Sequence, residues 1–171
     1  MKLLHPKSFI VLALCSLLFI SCKKDSSGES TYYVKFKMDG NWITWQRAQG
    51  EVAIDPRNRA VFTLSAHNDA NTEQFNIGVN TNSSSLATGT YSPDNSFLSL
   101  SYMKNTNTAN ITSYTGGGTL GGGDTRYEVT ITAITDKEVK GSFTGTFLRN
   151  TADDTDVVNI TEGEFVMQRV R

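Results

Sequence analysis

"YVKFKMDGNWITW", residues 33–45, reads as two strands folded about a two-residue turn. Val34 and Phe36 fall on one face and Tyr33, Lys35 and Lys37 on the other, the period of two that a half-buried strand imposes. Asp39-Gly40 suits a type I′ turn, because both central residues of that turn need a positive φ. Counting outward from it, Met38 faces Asn41, Lys37 faces Trp42, Phe36 faces Ile43 and Val34 faces Trp45. Directly opposed side chains share a face. Val34, Phe36, Ile43 and Trp45 therefore form an inner set, and Tyr33, Lys37 and Trp42 an outer one. Trp42 and Trp45, three apart on one strand, must point to opposite sides, so one belongs to the core and the other does not.

The same alternation continues along the chain. Phe62, Leu64 and Ala66 repeat it, as do Phe75, Ile77 and Val79, then Leu98, Leu100 and Tyr102, then Tyr127, Val129, Ile131 and Ala133. These runs are rich in β-branched and aromatic residues, which suit a pleated surface, and no run shows the 3.6-residue stripe of a helix. Turn signals separate them at Asp55-Pro56-Arg57-Asn58, 80–85, Ser92-Pro93-Asp94-Asn95 and Asp136-Lys137. Short strands at this spacing predict an all-β fold, an antiparallel β-sandwich or a flattened, partly open, lipocalin-like barrel.

Near the C-terminus, "VKGSFTGTF" places Val139, Gly141, Phe143, Gly145 and Phe147 on one face, with glycines set among large rings. In "VVNITEGEFVMQ", Val158 and Ile160 hold one parity and Phe165 and Met167 the other. A one-residue bulge near Gly163 would restore a common inward face, with "RNTADDTD" as the hairpin loop between the two strands.

The N-terminus carries a different pattern. Lys2 and Lys7 precede a twelve-residue apolar run, Phe9 to Ile20, broken only by Ser16. A membrane-spanning helix needs roughly 20 apolar residues, so this run reads as the h-region of a secretory signal. Phe19-Ile20-Ser21-Cys22 resembles the lipobox of bacterial lipoproteins, with Phe19 where the pattern prefers Leu. The resemblance implies that Cys22 is acylated and anchors the protein to a bilayer, each buried CH₂ contributing about 0.8 kcal/mol. The expected organisation is a signal peptide over 1–21, a flexible tether over 22–31 and a single β domain over 32–171. Lys24-Asp25 partly resembles the charged signal that sends Bacteroidota lipoproteins to the cell surface. An outer-membrane lipoprotein on the cell surface, rather than the periplasmic face, is the expectation.

Composition narrows the chemistry. The only cysteines are Cys15, inside the signal, and Cys22, so the domain itself has neither a disulfide nor thiol chemistry. Without Lys2 and Lys7 the balance is 14 basic to 17 acidic residues, a net of −3. No basic block is present to track phosphates, and nucleic acid is not an expected partner. About 140 residues suffice for one core.

"FKMDGNW", "GTY" at Gly89 to Tyr91, "GSFTGTF" and "ITEGEF" together resemble a family of uncharacterised Bacteroidota lipoprotein domains, over Tyr32 to Val170. That resemblance implies an all-β domain behind a lipobox and carries over no activity and no catalytic residues.

Each chemical motif has a bland competitor. Gly116, Gly118 and Gly121 match G-x-G-x-x-G, but a dinucleotide site needs a helix after the loop, and "DTRYEVTITAI" is strand, so no cofactor is expected. His67, the only histidine past the signal, stands in "SAHND" with Ser65 and Asp69; a triad is a spatial geometry that neighbours on one strand end rarely make. Asp69, Asn71 and Glu73 have the spacing of a calcium loop without its glycine. Asp153, Asp154 and Asp156 form a second acidic cluster, and both read first as solvated turns. Trp42 with Tyr33 and Lys37 is the most informative exposed set: an indole can stack on a sugar ring or simply pack beneath a lysine stem.

The expected function is binding, of a glycan or a protein partner, by a membrane-anchored module. A lipocalin-like carrier of a small apolar ligand in the periplasm is the alternative. An enzyme built on carboxylates such as Asp153 and Asp154 is a distant third.

Overall fold

The computed structural model describes residues 31–116, 126–149 and 156–170. The signal segment, Cys22, the tether through residue 30, the glycine run after Gly116, and Asp153 and Asp154 lie outside the described residues. The fold is all-β. Among the described residues there are eleven strands: β1 (Tyr33–Met38), β2 (Asn41–Gln46), β3 (Gln49–Ile54), β4 (Ala60–His67), β5 (Glu73–Asn80), β6 (Gly89–Tyr91), β7 (Phe97–Lys104), β8 (Thr112–Gly116), β9 (Tyr127–Ile134), β10 (Glu138–Arg149) and β11 (Val157–Arg169).

Pairing arranges them in two layers that share corners. The larger runs β2-β1-β11-β10-β9-β6 and the smaller β3-β4-β5-β7-β8. The long strands β10 and β11 reach from one layer into the other: Leu148 and Arg149 pair with Thr115 and Tyr114 of β8, and Gln168 and Arg169 with Gln49 and Gly50 of β3. A ring of seven strands results, flattened so that its walls pack like a sandwich.

The sheet is mixed, not purely antiparallel as the alternation suggested, because β3 runs parallel to β11. The cause is local. β1 is antiparallel to both β2 and β11, so β2 and β11 point the same way. Only Arg47 and Ala48 separate β2 from β3. Arg47 adopts a left-handed φ of 72° and donates its N–H to the Tyr32 carbonyl, while the buried Ala48 accepts from Gln168 N–H. The chain steps across the corner without reversing, and β3 inherits the direction of β2.

The first hairpin has the predicted register, Val34↔Trp45 through Met38↔Asn41, with φ of 49° and 85° at Asp39 and Gly40. Trp45 is 5% exposed and Trp42 49%. The second hairpin turn, Asp55 to Asn58, is held by its own carboxylate, which accepts from Arg57 N–H, Arg59 N–H and the Arg59 guanidinium. Hydrogen bonding to Arg59 holds the Asp55 carboxyl below the usual range.

The expected bulge is present. Phe143 pairs with Gly163 but Gly145 with Ile160, and across β1 the register slips between Lys35 and Lys37. Glu162 takes the left-handed φ of 51° that the extra residue demands. Val158, Ile160, Phe165 and Met167 are thereby all buried. A second bulge corrects the reading of β9. Gly141 pairs with Ile131 and Lys140 with Ala133, so Thr132 is the extra residue, and Ile134 rather than Ala133 packs against the core.

The interior is aromatic. Phe36 of β1 stands 5.3 Å from Phe75 of β5, Phe143 of β10 4.7 Å from the same ring, and Phe62 of β4 5.8 Å from Phe165 of β11. These are centroid separations of rings in direct contact, and they knit one layer to the other. Trp45 stacks on Tyr102, and Tyr102 on Tyr114. The buried phenols find acceptors: Tyr127 donates to the Leu98 carbonyl of the opposite layer and Tyr102 to Glu73 Oε1.

Candidate functional sites on the two outer faces

Alternation sends every second residue outward, so each layer has an outer face whose chemistry is read row by row from the register. On the larger layer, one row runs Thr44, Lys35, Glu164, Ser142 and Thr130, and its neighbour begins Trp42, Lys37. Glu162, displaced outward by the bulge, receives Lys37 Nζ at 2.6 Å, and Glu164 receives Lys35 Nζ at 3.6 Å. Both ammonium groups also lie over the Trp42 indole, 4.4 Å (Lys35) and 4.9 Å (Lys37) from the centroid. Tyr33 is half-buried beside them; burial first, then the Glu164 carboxylate, pushes its phenol above the usual value. Further along, Lys140 pairs with Glu138, whose hydrogen bond raises the Lys140 ammonium. The structure thus brings Trp42, Tyr33 and Lys37 onto one face, and adds Lys35, Glu162 and Glu164. The indole is exposed, yet lysines that are themselves paired cover it.

The smaller layer is built differently. Its outer rows are Ala53, Val61, Asn80 and Phe97, then Glu51, Thr63, Gly78 and Ser99, then Gln49, Ser65, Asn76 and Ser101. Only Glu51 is charged. Gln74 Nε2 donates to Ser65 Oγ and Asn76 Oδ1, and Asn76 Nδ2 to Ser101 Oγ, a ladder of amides and hydroxyls. The middle of this face is a cleft of about 450 Å³ lined by Gln49, Glu51, Thr63, Asn76, Gly78 and Ser99, among others. Gly78 lies on its floor with the Ser99 hydroxyl leaning over it, so that a Cβ there would stand 2.6 Å from Ser99 Oγ. Phe97, at the end of the face, is 71% exposed.

The remaining expected sites separate in space. Ser65 and His67 both face outward from β4, but Ser65 Oγ accepts from Gln74, and His67 Nδ1 stands 3.2 Å from the Asn68 carbonyl. Asp69 is exposed on the following turn, which closes around Asn68; its Oδ1 accepts the N–H groups of Thr72 and Glu73. Asn71 sits on that turn at φ 53° and accepts from Thr106, while the Glu73 carboxylate turns inward to Tyr102. Asp156 Oδ2 accepts from the Tyr114 hydroxyl at 3.2 Å and from Arg149 Nη1 at 3.4 Å. Among the described residues no three His, Cys, Asp or Glu gather as a metal site, and no helix is long and apolar enough to cross a membrane.

Comparison with protein-family models, curated proteins and solved structures found no match. Sequence reasoning overlooked the cleft on the smaller layer. Its signal was present in the outward parity of three strands: Thr63 and Ser65, Asn76 and Gly78, Ser99 and Ser101 are all small or neutral, where a solvated face ordinarily carries charge. Phe97 also breaks parity with Leu98 and Leu100.

Proposed function

We propose that the chain is an exported lipoprotein, held on a bilayer by acyl chains on Cys22, whose β domain is a binding module and not a carrier or a catalyst. The observation that carries this reading is the interior. Where a carrier would hold an apolar ligand, Phe36, Phe75, Phe143 and Phe147 from both layers meet at centroid separations of 4.7 to 6.2 Å. A partner is left the outer faces and the loops. The charged and small residues of the tether would hold the domain off the membrane, and Lys24-Asp25 favour display at the cell surface, toward a glycan or an envelope protein.

Two measurements on the full chain test this. Metabolic labelling with a palmitate analogue should mark the wild type and fail on Cys22→Ser, and protease added to intact cells should cleave a C-terminal tag. The released domain should take up no stoichiometric fatty acid. Saturable one-to-one uptake that quenches Trp45 would overturn the module in favour of the carrier.

A further inference from the structure

The outer face of the smaller layer combines features that a folded sheet does not itself require. Gly78 lies mid-strand in β5 with β4 and β7 on either side and points outward. Glycine weakens a strand and often marks a bulge, a bend or close approach by a ligand or another backbone; at Gly78 the Ser99 hydroxyl takes part of the space a Cβ would fill. Beside this glycine lies a cleft lined by the polar groups of Thr63, Ser99, Asn76 and Gln49, with the Glu51 carboxylate at one side, and also by Leu64, Ile77 and Val170. The rows lie about 7 Å apart along the strands, and four strands span about 14 Å across. One row beyond Ser99 stands Phe97, its phenyl ring in solvent, with Asn80 between it and Val61.

We propose that this cleft is a saccharide site, and that its ligand is a neutral, hydroxyl-rich glycan chain lying across β3, β4, β5 and β7. The proposal rests on the binding-module reading and adds the place and the ligand class. A sugar ring is amphipathic, with an apolar face of C–H groups and a rim of hydroxyls. Phe97 matches the face, while the amides of Asn76 and Gln49, the hydroxyls of Thr63 and Ser99, and Glu51 match the rim. Asn and Gln both donate and accept, as hydroxyls do, so the lining suits a ligand whose groups are of both kinds. Among the described residues the lining holds one carboxylate and no cation, so an anionic glycan would meet repulsion there without a counter-charge. The Trp42 face is the poorer platform, because Lys35 and Lys37 already stand over its ring.

The test is affinity electrophoresis of the domain in gels carrying a soluble neutral polysaccharide (a β-glucan, a mannan, a xylan or dextran) or an anionic one (alginate, polygalacturonate). Retardation in at least one neutral gel and none in the anionic gels is expected. Phe97→Ala and the cleft-filling Gly78→Thr should each weaken it by about tenfold or more, the scale of a central interface contact, while Trp42→Ala leaves it unchanged. Melting curves and the near-ultraviolet dichroism of each variant control for folding, and amide shifts in ¹⁵N-labelled wild type should move at Thr63, Gly78 and Ser99. No retardation in any neutral gel, or retardation indifferent to both cleft variants, overturns the proposal. Loss with Trp42→Ala alone would move the site to the other layer and leave the module intact. Fatty-acid uptake with no glycan binding would sink both readings together.

Discussion

The two outer faces obey one rule of alternation and end in opposite states. On the larger layer the outward positions hold long charged side chains, and they satisfy one another: Lys37 with Glu162, Lys35 with Glu164, Lys140 with Glu138, and two of the lysines with Trp42. On the smaller layer the outward positions hold mostly neutral groups, several hydrogen-bonded to one another, around Gly78, and the surface sinks into a cleft. Strand geometry decides which residues face out. Side-chain length and charge decide whether that face is closed on itself or open to another molecule.

Glycine substitutions separate the two layers most strongly. A Cβ at Gly163, under the charged face, would meet the Phe143 carbonyl oxygen at 2.4 Å and the Phe143 ring at 2.7 Å, neither free to move. Gly163→Ala should lower stability by about 1–3 kcal/mol, the scale of overpacking, in a urea titration. Gly78→Ala meets only the Ser99 hydroxyl, which can rotate; it should be neutral or stabilise by up to about 1 kcal/mol, since strand glycine is unfavourable. Equal losses at both positions would erase the contrast.

Glu162 tests how the charged face is made. Its left-handed backbone is strained by roughly 1–2 kcal/mol, and its exposed pair with Lys37 contributes at most about 1 kcal/mol. Glu162→Ala should therefore destabilise slightly, whereas Glu162→Gly should melt higher than Glu162→Ala, the difference measuring the bulge. A Gly variant no more stable than the Ala variant would remove strain from the account.

Alkaline titration probes the smaller layer from within. Burial first, then Glu73 and Asp156 respectively, raises the phenols of Tyr102 and Tyr114 above their usual value. A raised folded pKa stabilises the fold in full below the unfolded value of about 10 and is lost as pH climbs past it. Stability should hold below about pH 10 and fall above it, and Tyr102→Phe should flatten that slope. A wild-type curve level from pH 10 to 12 would contradict this. The smallest effect is expected at Lys37→Ala: less than about 1 kcal/mol, shrinking with added salt. The same change applied to Ser99 should show no salt dependence at all.

Much of the fold was legible because it is local. Asp39-Gly40 admits one tight turn, and the turn sets the register of six residue pairs. Phe165 and Met167 could not share a face with Val158 and Ile160 without an extra residue, and Gly163 marked the place. By contrast, β3 and β8 are short and weakly patterned, and the extra residue at Thr132 leaves no mark in composition, so Ala133 was assigned to the core in place of Ile134. For the site, Trp42, Tyr33 and Lys37 were legible as an outer set, but Glu162 and Glu164, which complete it, lie more than a hundred residues away. The cleft was harder still: its walls come from four strands, and none of its residues is distinctive alone.

The sequence by itself determined most of the strands, though not β3, β6 or β8, together with the first hairpin and its register, the inward ring set and the direction each tryptophan points. These follow from backbone period and turn sterics, which act over a few residues. Only the tertiary structure decided that β1 lies against β11, that β5 pairs with β7 across the intervening β6, and that β3 runs parallel to β11. Those choices depend on which distant strands can bury Phe36, Phe75, Phe143 and Phe165 in one core. From that choice the outer faces follow, because a neighbour in space and not in sequence determines whether a lysine finds a glutamate or short side chains border a cleft.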